Sequence, residues 1–380
     1  MTVSEPKGGG VVWTDERGSA ATERGGKTAP PSRPEASEPL VKASEPLAEA
    51  SEPLATTYDV ALLDLDGVVY LGGTAISGAP EALRKAQADG MRLAYVTNNA
   101  FRTPAAVAGL LQGMGVPAES GDVVTSAQAA ARLLAERLPA GAPVLVVGGM
   151  GLRVAVRERG LRPVSTAADK PAAVVQGYAP GISYSALAEG CLAVRAGAIF
   201  VASNADLTIP SARGRQPGNG SLLRVIAACT GVEPVVAGKP EIPLQRESVL
   251  RTEAKRPLVV GDRLDTDILG AHRVGTDSLL VLTGVTGPAE AILAPPGQRP
   301  TYIADDLNGL LQPHPGVTSG PDGGYSCGGW TARWAGDQLE LDGAGERIDG
   351  LRALCAATWA RHADAGTSHE TINSAVRRIS

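Results

Sequence analysis

Aromatic residues are scarce in this chain: Phe, Trp and Tyr make up 3% of its 380 residues, although 43% are hydrophobic. Any core must therefore be filled by Val, Leu, Ala and Ile. Long apolar runs are missing as well. No stretch reaches the roughly 18 residues that a membrane-spanning helix needs, so nothing here is expected to span or bind a membrane. The first residues show no apolar segment followed by a cleavage site, so no secretory signal is expected. Cysteine is rare. Cys191, Cys229, Cys327 and Cys355 lie far apart and match no zinc spacing. They read as reduced, mostly buried thiols in a cytoplasmic protein. A charge excess of one sign is also lacking: the formal net charge is -5 and the basic residues are scattered, which speaks against nucleic acid as a partner. What the chain does have is length enough for two or more packed domains.

Three textures divide it. Residues 1–57 are rich in Pro, Gly, Ser and Glu and repeat "ASEPL" from Ala36, Ala43 and Ala50. That seven-residue period suggests a coiled coil, but Pro39, Pro46 and Pro53 would each cost a helix about 3 kcal/mol. A disordered, proline-stiffened leader is expected instead. From 58 to 312, short Val/Leu/Ala runs alternate with amphipathic stretches. After "QPHPG" the pattern changes again.

The middle section reads as strand and helix in turn. "VALLDLD" is a strand, "APEALRKAQADG" a helix closed by Gly90, and "MRLAYVTNN" the next strand. "PLVVGDR" with "TDILGAHRVG" repeats the unit. Near-continuous apolar strands separated by helices imply a doubly wound parallel sheet of the α/β class, covered on both faces. In such sheets ligands sit beyond the carboxyl ends of the strands. Three strands end there in polar residues: Asp64 and Asp66, then Thr97-Asn98-Asn99, then Asp262.

Asp64, Asp66 and Asp262 form a set of hard oxygen ligands that suits magnesium better than zinc. Lys239, in "VVAGKPEIP", adds a compact cation, and Thr97 with the amides after it adds neutral donors. Together they describe a site for a phosphate. Two like charges about 4 Å apart repel by about 4 kcal/mol at an effective dielectric near 20. A phosphate would be expelled from such carboxylates without a divalent ion and the lysine; with them, a carboxylate can attack phosphorus. Each group also has a plainer reading. The aspartates could cap a helix, Thr97-Asn98-Asn99 could be turn chemistry, and Lys239 could be a solvated loop residue. Asp267 suits a ligand shell and a helix start equally well, and Asp265 reads as a surface cap.

The segments "DLDGVVY", "VTNNA", "GKP" and "GDRLDTDI", in that order, resemble the four motifs of the haloacid dehalogenase superfamily of phosphatases. Their particular forms are similar to the NagD-like branch, and the match covers about 58 to 310. The resemblance implies Asp64 as the nucleophile forming an aspartyl-phosphate and Asp66 as general acid and base. It implies that Thr97 and Lys239 hold the phosphate. Mg²⁺ would lie between Asp64, the backbone carbonyl of Asp66, and Asp262, with Asp267 in support. A fossil site on a regulatory binding protein is the non-enzymatic alternative, which the intact Asp64, Asp66, Lys239 and Asp262 oppose.

About 140 residues separate the second and third motifs, too many for a loop. Their own alternation ("PVLVVGG", "AAVVQGY", "AIFVASN") predicts an inserted α/β domain. The resemblance makes it a large cap, which together with flanking core and linker segments occupies 101–238, with the rest of the core in 58–100 and 239–312, and implies a homodimer through the cap. "NADLTIPSARGRQPGNG" is expected to touch the leaving group, through Asn204 and Asp206 with Asn98 and Asn99 nearby; Arg213 and Arg215 suit a solvated loop as well. Some relatives that act on pyridoxal phosphate or phosphoglycolate carry a histidine near the position of Ile209, which this chain lacks. The layout favours a small polyol phosphate such as glycerol 3-phosphate, with other small phosphomonoesters (phosphoglycolate, pyridoxal phosphate, sugar or nucleoside phosphates) as alternatives.

Two further stretches need a reading. "VLVVGGMGLRVAV" approaches a dinucleotide fingerprint, but Val154 stands where a third Gly or Ala belongs and no strand-end acid follows. Residues 313–380 read as short strands and then a helix carrying Leu351, Leu354, Cys355 and Trp359. This α+β segment is too short for a strong core of its own and is expected to dock on the rest. It resembles the truncated acetyltransferase-like tail of the glycerol-phosphate members of the branch. "LDGAGERIDG" matches a pyrophosphate-binding loop poorly, so no acetyl transfer is expected.

Overall fold

The computed structural model describes residues 47–361, apart from 210 and 212, and residues 369–379. Most of the expected leader, with Pro39 and Pro46, lies outside the described residues. Its last part does not behave as a leader. Ala50 forms an antiparallel bridge with His314, and Leu47 and Leu54 are buried, Leu54 completely. The third "ASEPL" thus ends in a short helix, Leu54–Thr57, whose leucine enters the core. The proline argument speaks only to a long helix and is silent about a single leucine inserted sideways.

The first sheet is built from β1 (Val60–Leu63), β2 (Arg92–Thr97) and β3 (Val123–Thr125), and from later strands that return after an insertion. The insertion carries β4 (Pro143–Val147), β5 (Arg162–Val164), β6 (Ala173–Gln176), β7 (Ile199–Ala202) and β8 (Val235–Val236). The chain then returns through β9 (Pro257–Gly261), β10 (Asp277–Val281) and β11 (Tyr302–Ala304). The six-stranded sheet has the order β11-β10-β9-β1-β2-β3, and all its pairings are parallel. Strand order reverses on either side of β1, so a crevice opens beyond its carboxyl end. All four residues of β1 are buried, as a sheet covered on both faces requires.

The second sheet, β8-β7-β6-β4-β5, is also parallel throughout. It forms an inserted α/β unit, and part of the stretch 101–238 flanks it as core. β3 falls inside the stretch 101–238 yet pairs with β2 in the first sheet. The helix Ser126–Ala135 lies between the two sheets. Thr125 and Gln128 cap it reciprocally, and its alanines share one apolar cluster with Val60 and Val96 of one sheet and Val146 and Val175 of the other.

The final segment forms an antiparallel sheet of β12 (Thr318–Ser319), β13 (Tyr325–Cys327), β14 (Trp330–Ala335) and β15 (Gln338–Gly343). The helices Arg347–Ala360 and His369–Val376 follow. The first of these is not simply amphipathic: Asp349 and Arg352 are buried along with Leu351, Leu354 and Cys355. Arg352 donates to Asp349 at 2.5 Å and to the carbonyl of Ile303 in edge strand β11 at 2.8 Å.

Candidate active site

Asp64 directly follows β1, and its backbone N–H donates to Val260 in β9 at 2.8 Å. Thr97 ends β2, and Asp262 follows β9. The three polar strand ends are therefore neighbours across the middle of the sheet. Lys239 arrives from the other side, just after β8, with a cis peptide to Pro240. Its buried ammonium donates to Asp64 Oδ1 at 2.5 Å, to Asp267 Oδ1 at 2.8 Å and to the carbonyl of Val96 at 3.0 Å, which uses all three protons. Burial alone would pull its pKa down. Asp267 and Asp64 outweigh that and hold it above the ordinary lysine range.

Oxygens of Asp64, Asp262 and Asp267 lie within 4.8 Å of one another. Asp267 comes from a wide turn, Leu264–Ile268, and is 1% exposed; its Oδ1 lies in the acid cluster on Lys239, while its Oδ2 accepts from the Arg263 amide at 3.3 Å at the start of that turn, so both readings are met. Asp265 is exposed and paired with Arg263, as a surface residue. Burial pushes Asp262 up to about 7, with Asp64 and Asp267 adding to the rise. Asp267 is pushed up to about 6, first by burial, while Lys239 opposes the shift. The Oδ2 atom of Asp262 accepts from Val285 N at 2.7 Å, whereas its buried Oδ1 has no partner among the described residues. Three crowded carboxylates and a buried, unpaired carboxylate oxygen fit a hard divalent cation. Asp66 stands apart on the exposed side. The surrounding walls raise its pKa, and Arg102 draws part of that shift back.

The asparagines expected near substrate carry hydrogen bonds within the protein. Asn98 Oδ1 accepts from Lys239 N at 2.8 Å, and Asn98 Nδ2 donates to Asp206 at 3.1 Å. Asn99 Oδ1 accepts from the amides of Phe101 and Arg102, both at 2.9 Å. Asn204 donates to the carbonyl of Asn98 at 2.8 Å and is itself 5% exposed. Asn98 and Asn204 tie the loop after Thr97 to the second sheet, while Asn99 folds the loop itself. Asp206 keeps a partly exposed carboxylate there, raised by burial against the pull of Asn98. Sequence reasoning missed the loop Thr283–Thr286. Its Thr283 donates to Gly67 O at 2.5 Å, and a Cβ on Gly284 would fall 2.0 Å from Asp262 Oδ2. The available signal was "LTGVTG", threonine-glycine pairs directly after an apolar strand.

Residues 61–162 match the family model for haloacid dehalogenase-like hydrolases, and 236–310 match the HAD-hydrolase-like model. The D-glycerol 3-phosphate phosphatase of Mycobacterium tuberculosis is 45% identical over 312 residues, 81% of this chain and 88% of that protein. This chain belongs to the haloacid dehalogenase-like hydrolases. The 5'-nucleotidase of Bacillus subtilis is 40% identical over 66% of the hydrolase and 96% of its own length. A crystal structure of the M. tuberculosis glycerol phosphate phosphatase with magnesium superposes with a TM-score of 0.78 at 41% identity, covering 87% of this chain and 99% of that one. The two hydrolase matches carry Asp64, Asp66 and Thr97 in one and Lys239, Asp262 and Asp267 in the other. Residues 327–380 match a GCN5-related N-acetyltransferase-like domain.

Proposed function

We propose that this hydrolase removes phosphate from glycerol 3-phosphate, with Asp64 as the nucleophile. The observation that carries the chemistry is the single carboxylate, Asp64, shared between a buried lysine and the acid cluster while remaining part-exposed. Asp64 attacks phosphorus, and the bond to the leaving oxygen breaks as Asp66 gives that oxygen a proton. Water then attacks the aspartyl-phosphate, Asp66 takes up its proton, and the Asp64 carboxylate is restored with release of phosphate. The raised pKa of Asp66 favours its acid form in the first step. Lys239 fixes one oxygen of Asp64 and faces phosphate with a full positive charge, beside the hydroxyl of Thr97. Asp64, Asp262, Asp267 and the carbonyl of Asp66 are the groups for Mg²⁺, which supplies positive charge against the phosphate oxygens when bound.

The substrate choice is supported by the 45%-identical glycerol 3-phosphate phosphatase. Asp206, with Asn204 behind it, is the polar group of the cap suited to a polyol hydroxyl. A panel of phosphate monoesters compared by kcat/KM tests this. Glycerol 3-phosphate should lead; a sugar phosphate or nucleotide ahead of it by tenfold would replace the assignment. The hydrolase is further proposed to pair through its cap, where Leu192, Val225 and Val232 are exposed and strand β8 forms a sheet edge. Light scattering on Leu192→Glu, expected to be monomeric, checks this. Four free cysteines, three of them buried, are in keeping with a cytoplasmic enzyme.

A further inference from the structure

The glycine-rich turn Gly148-Gly149-Met150-Gly151 imitates a dinucleotide fingerprint, but the backbone of this chain fills the place a phosphate would take. Gly151 N donates to Phe101 O at 2.9 Å. A Cβ on Gly151 would lie 2.4 Å from Arg102 O, and one on Gly149 would lie 2.4 Å from the Phe101 ring. Here the glycines allow the helix Met150–Glu158, which belongs to the cap, to abut the loop that begins at Thr97. Asn99 folds that loop by accepting both the Phe101 and Arg102 amides.

The far end of the same helix is also fastened to the core. Arg159, the residue after it, donates to Glu247 Oε1 at 2.6 Å. Glu247 is completely buried on the helix Ile242–Thr252, which starts just past Lys239. Its carboxylate also accepts from Arg251 on its own helix at 2.8 Å, and from Arg132 on the helix between the sheets. A buried carboxylate held by three guanidiniums has its orientation fixed.

We propose that the helix Met150–Glu158 is a brace that fixes the cap against both catalytic segments, and that Gly151 and Arg159 are positioning residues for phosphate ester hydrolysis. One end holds the loop after Thr97 and the other the helix after Lys239. Their separation sets how the cap presents the leaving group to Asp64. This rests on the assignment of Asp64, Thr97 and Lys239 to the reaction.

The test compares Arg159→Gln, Arg159→Lys, Gly151→Ala and a control, Arg251→Gln, which removes a partner of Glu247 within a single helix. Kinetics are read with glycerol 3-phosphate, and cap-to-core distance by pairs of spin labels at exposed Cys229 and at Gln87→Cys. Arg159→Gln should raise KM at least threefold with kcat within twofold, and should broaden the distance distribution; Arg159→Lys should recover part of both. Gly151→Ala should lower kcat at least tenfold by displacing Arg102. Arg251→Gln should leave kinetics and distance within error of wild type. Equal effects of Arg159→Gln and Arg251→Gln, or an unchanged distance distribution in Arg159→Gln, overturn the brace. If the wild type hydrolyses no phosphate ester, the functional reading fails, and the distance measurement alone still decides for or against the brace.

Discussion

Asp64 and Asp66 are two positions apart and have opposite surroundings: one is clamped by Lys239, the other faces the open side under the field of Arg102. Asp64→Asn should abolish turnover and any phosphoenzyme, because an amide cannot attack phosphorus. Asp66→Asn should cost at least a hundredfold in kcat through lost proton transfer. Rapid-quench labelling of the aspartyl group checks the first, and label retained in Asp64→Asn would move the nucleophile. A second expectation concerns pH. Asp262 and Asp267 are raised to about 7 and about 6 from an unfolded value near 3.8. Without metal, their contribution to stability is therefore full below about 4 and is lost as pH rises through 6 and 7. Magnesium relieves that repulsion and competes with their protons. The rise in Tm on adding Mg²⁺ should accordingly be larger at pH 8 than at pH 5, and smaller at both in Asp262→Ala. Thermal scans with an increment independent of pH would contradict this. The acids and Lys239 could be read from the sequence because polar residues ending apolar strands stand out. The duties of Asn98, Asn204 and Glu247 could not, since each is set by a partner between 88 and 141 positions away.

Among elements, β1, β2, β4, β6, β7 and β9 were the most legible, because each carries an apolar run that ends at a turn. β3 shows where that reasoning stops: its pattern would suit either sheet, and only its pairing with β2 decides. The last leader repeat shows another limit, since one buried Leu54 leaves no periodic trace. The helix Arg347–Ala360 carries a testable consequence of its own. The residues at its start are acidic, with Glu346 before it and Asp349 in its first turn, and a Cβ on Gly328 would lie 2.1 Å from Asp349 Oδ2. Asp349 thus fills the space before the helix, and Arg352 is already committed to it. An incoming pyrophosphate would meet negative charge where it needs free amides. Calorimetric titration with acetyl-CoA should show no binding at micromolar concentrations. Measurable heat that is lost on cutting the tail would show that the acetyltransferase-like segment keeps a cofactor site.

At the scale of the whole molecule, the C-terminal segment is less an appendage than its length suggests. Leu280 and Ile303 of the first sheet, Ala291 and Ile292 beyond it, and Ile268 beside Asp267 share one apolar cluster with Leu341, Leu351, Leu354 and Ile372 of the tail. Covering a large aliphatic side chain contributes about 1.5–3 kcal/mol. Uncovering even part of Leu280, Ile268, Ile292 and Ile303 would remove several kcal/mol, which is comparable to the net stability of a typical domain, about 5–15 kcal/mol. Edge strand β11 would also lose Arg352, which donates to the carbonyl of Ile303, and the Trp359 indole would leave the carbonyl of Ile292. The shared core predicts a severe outcome for a chain ending near Gln312. The truncated chain should be largely insoluble, or melt at least 10 °C below the intact chain. Any soluble fraction should need more Mg²⁺ for half-maximal activity, because Ile268 no longer holds the turn that carries Asp267. Thermal scans and magnesium titrations on both lengths decide the matter, and a truncated enzyme with unchanged Tm and magnesium requirement would show that the two cores are independent.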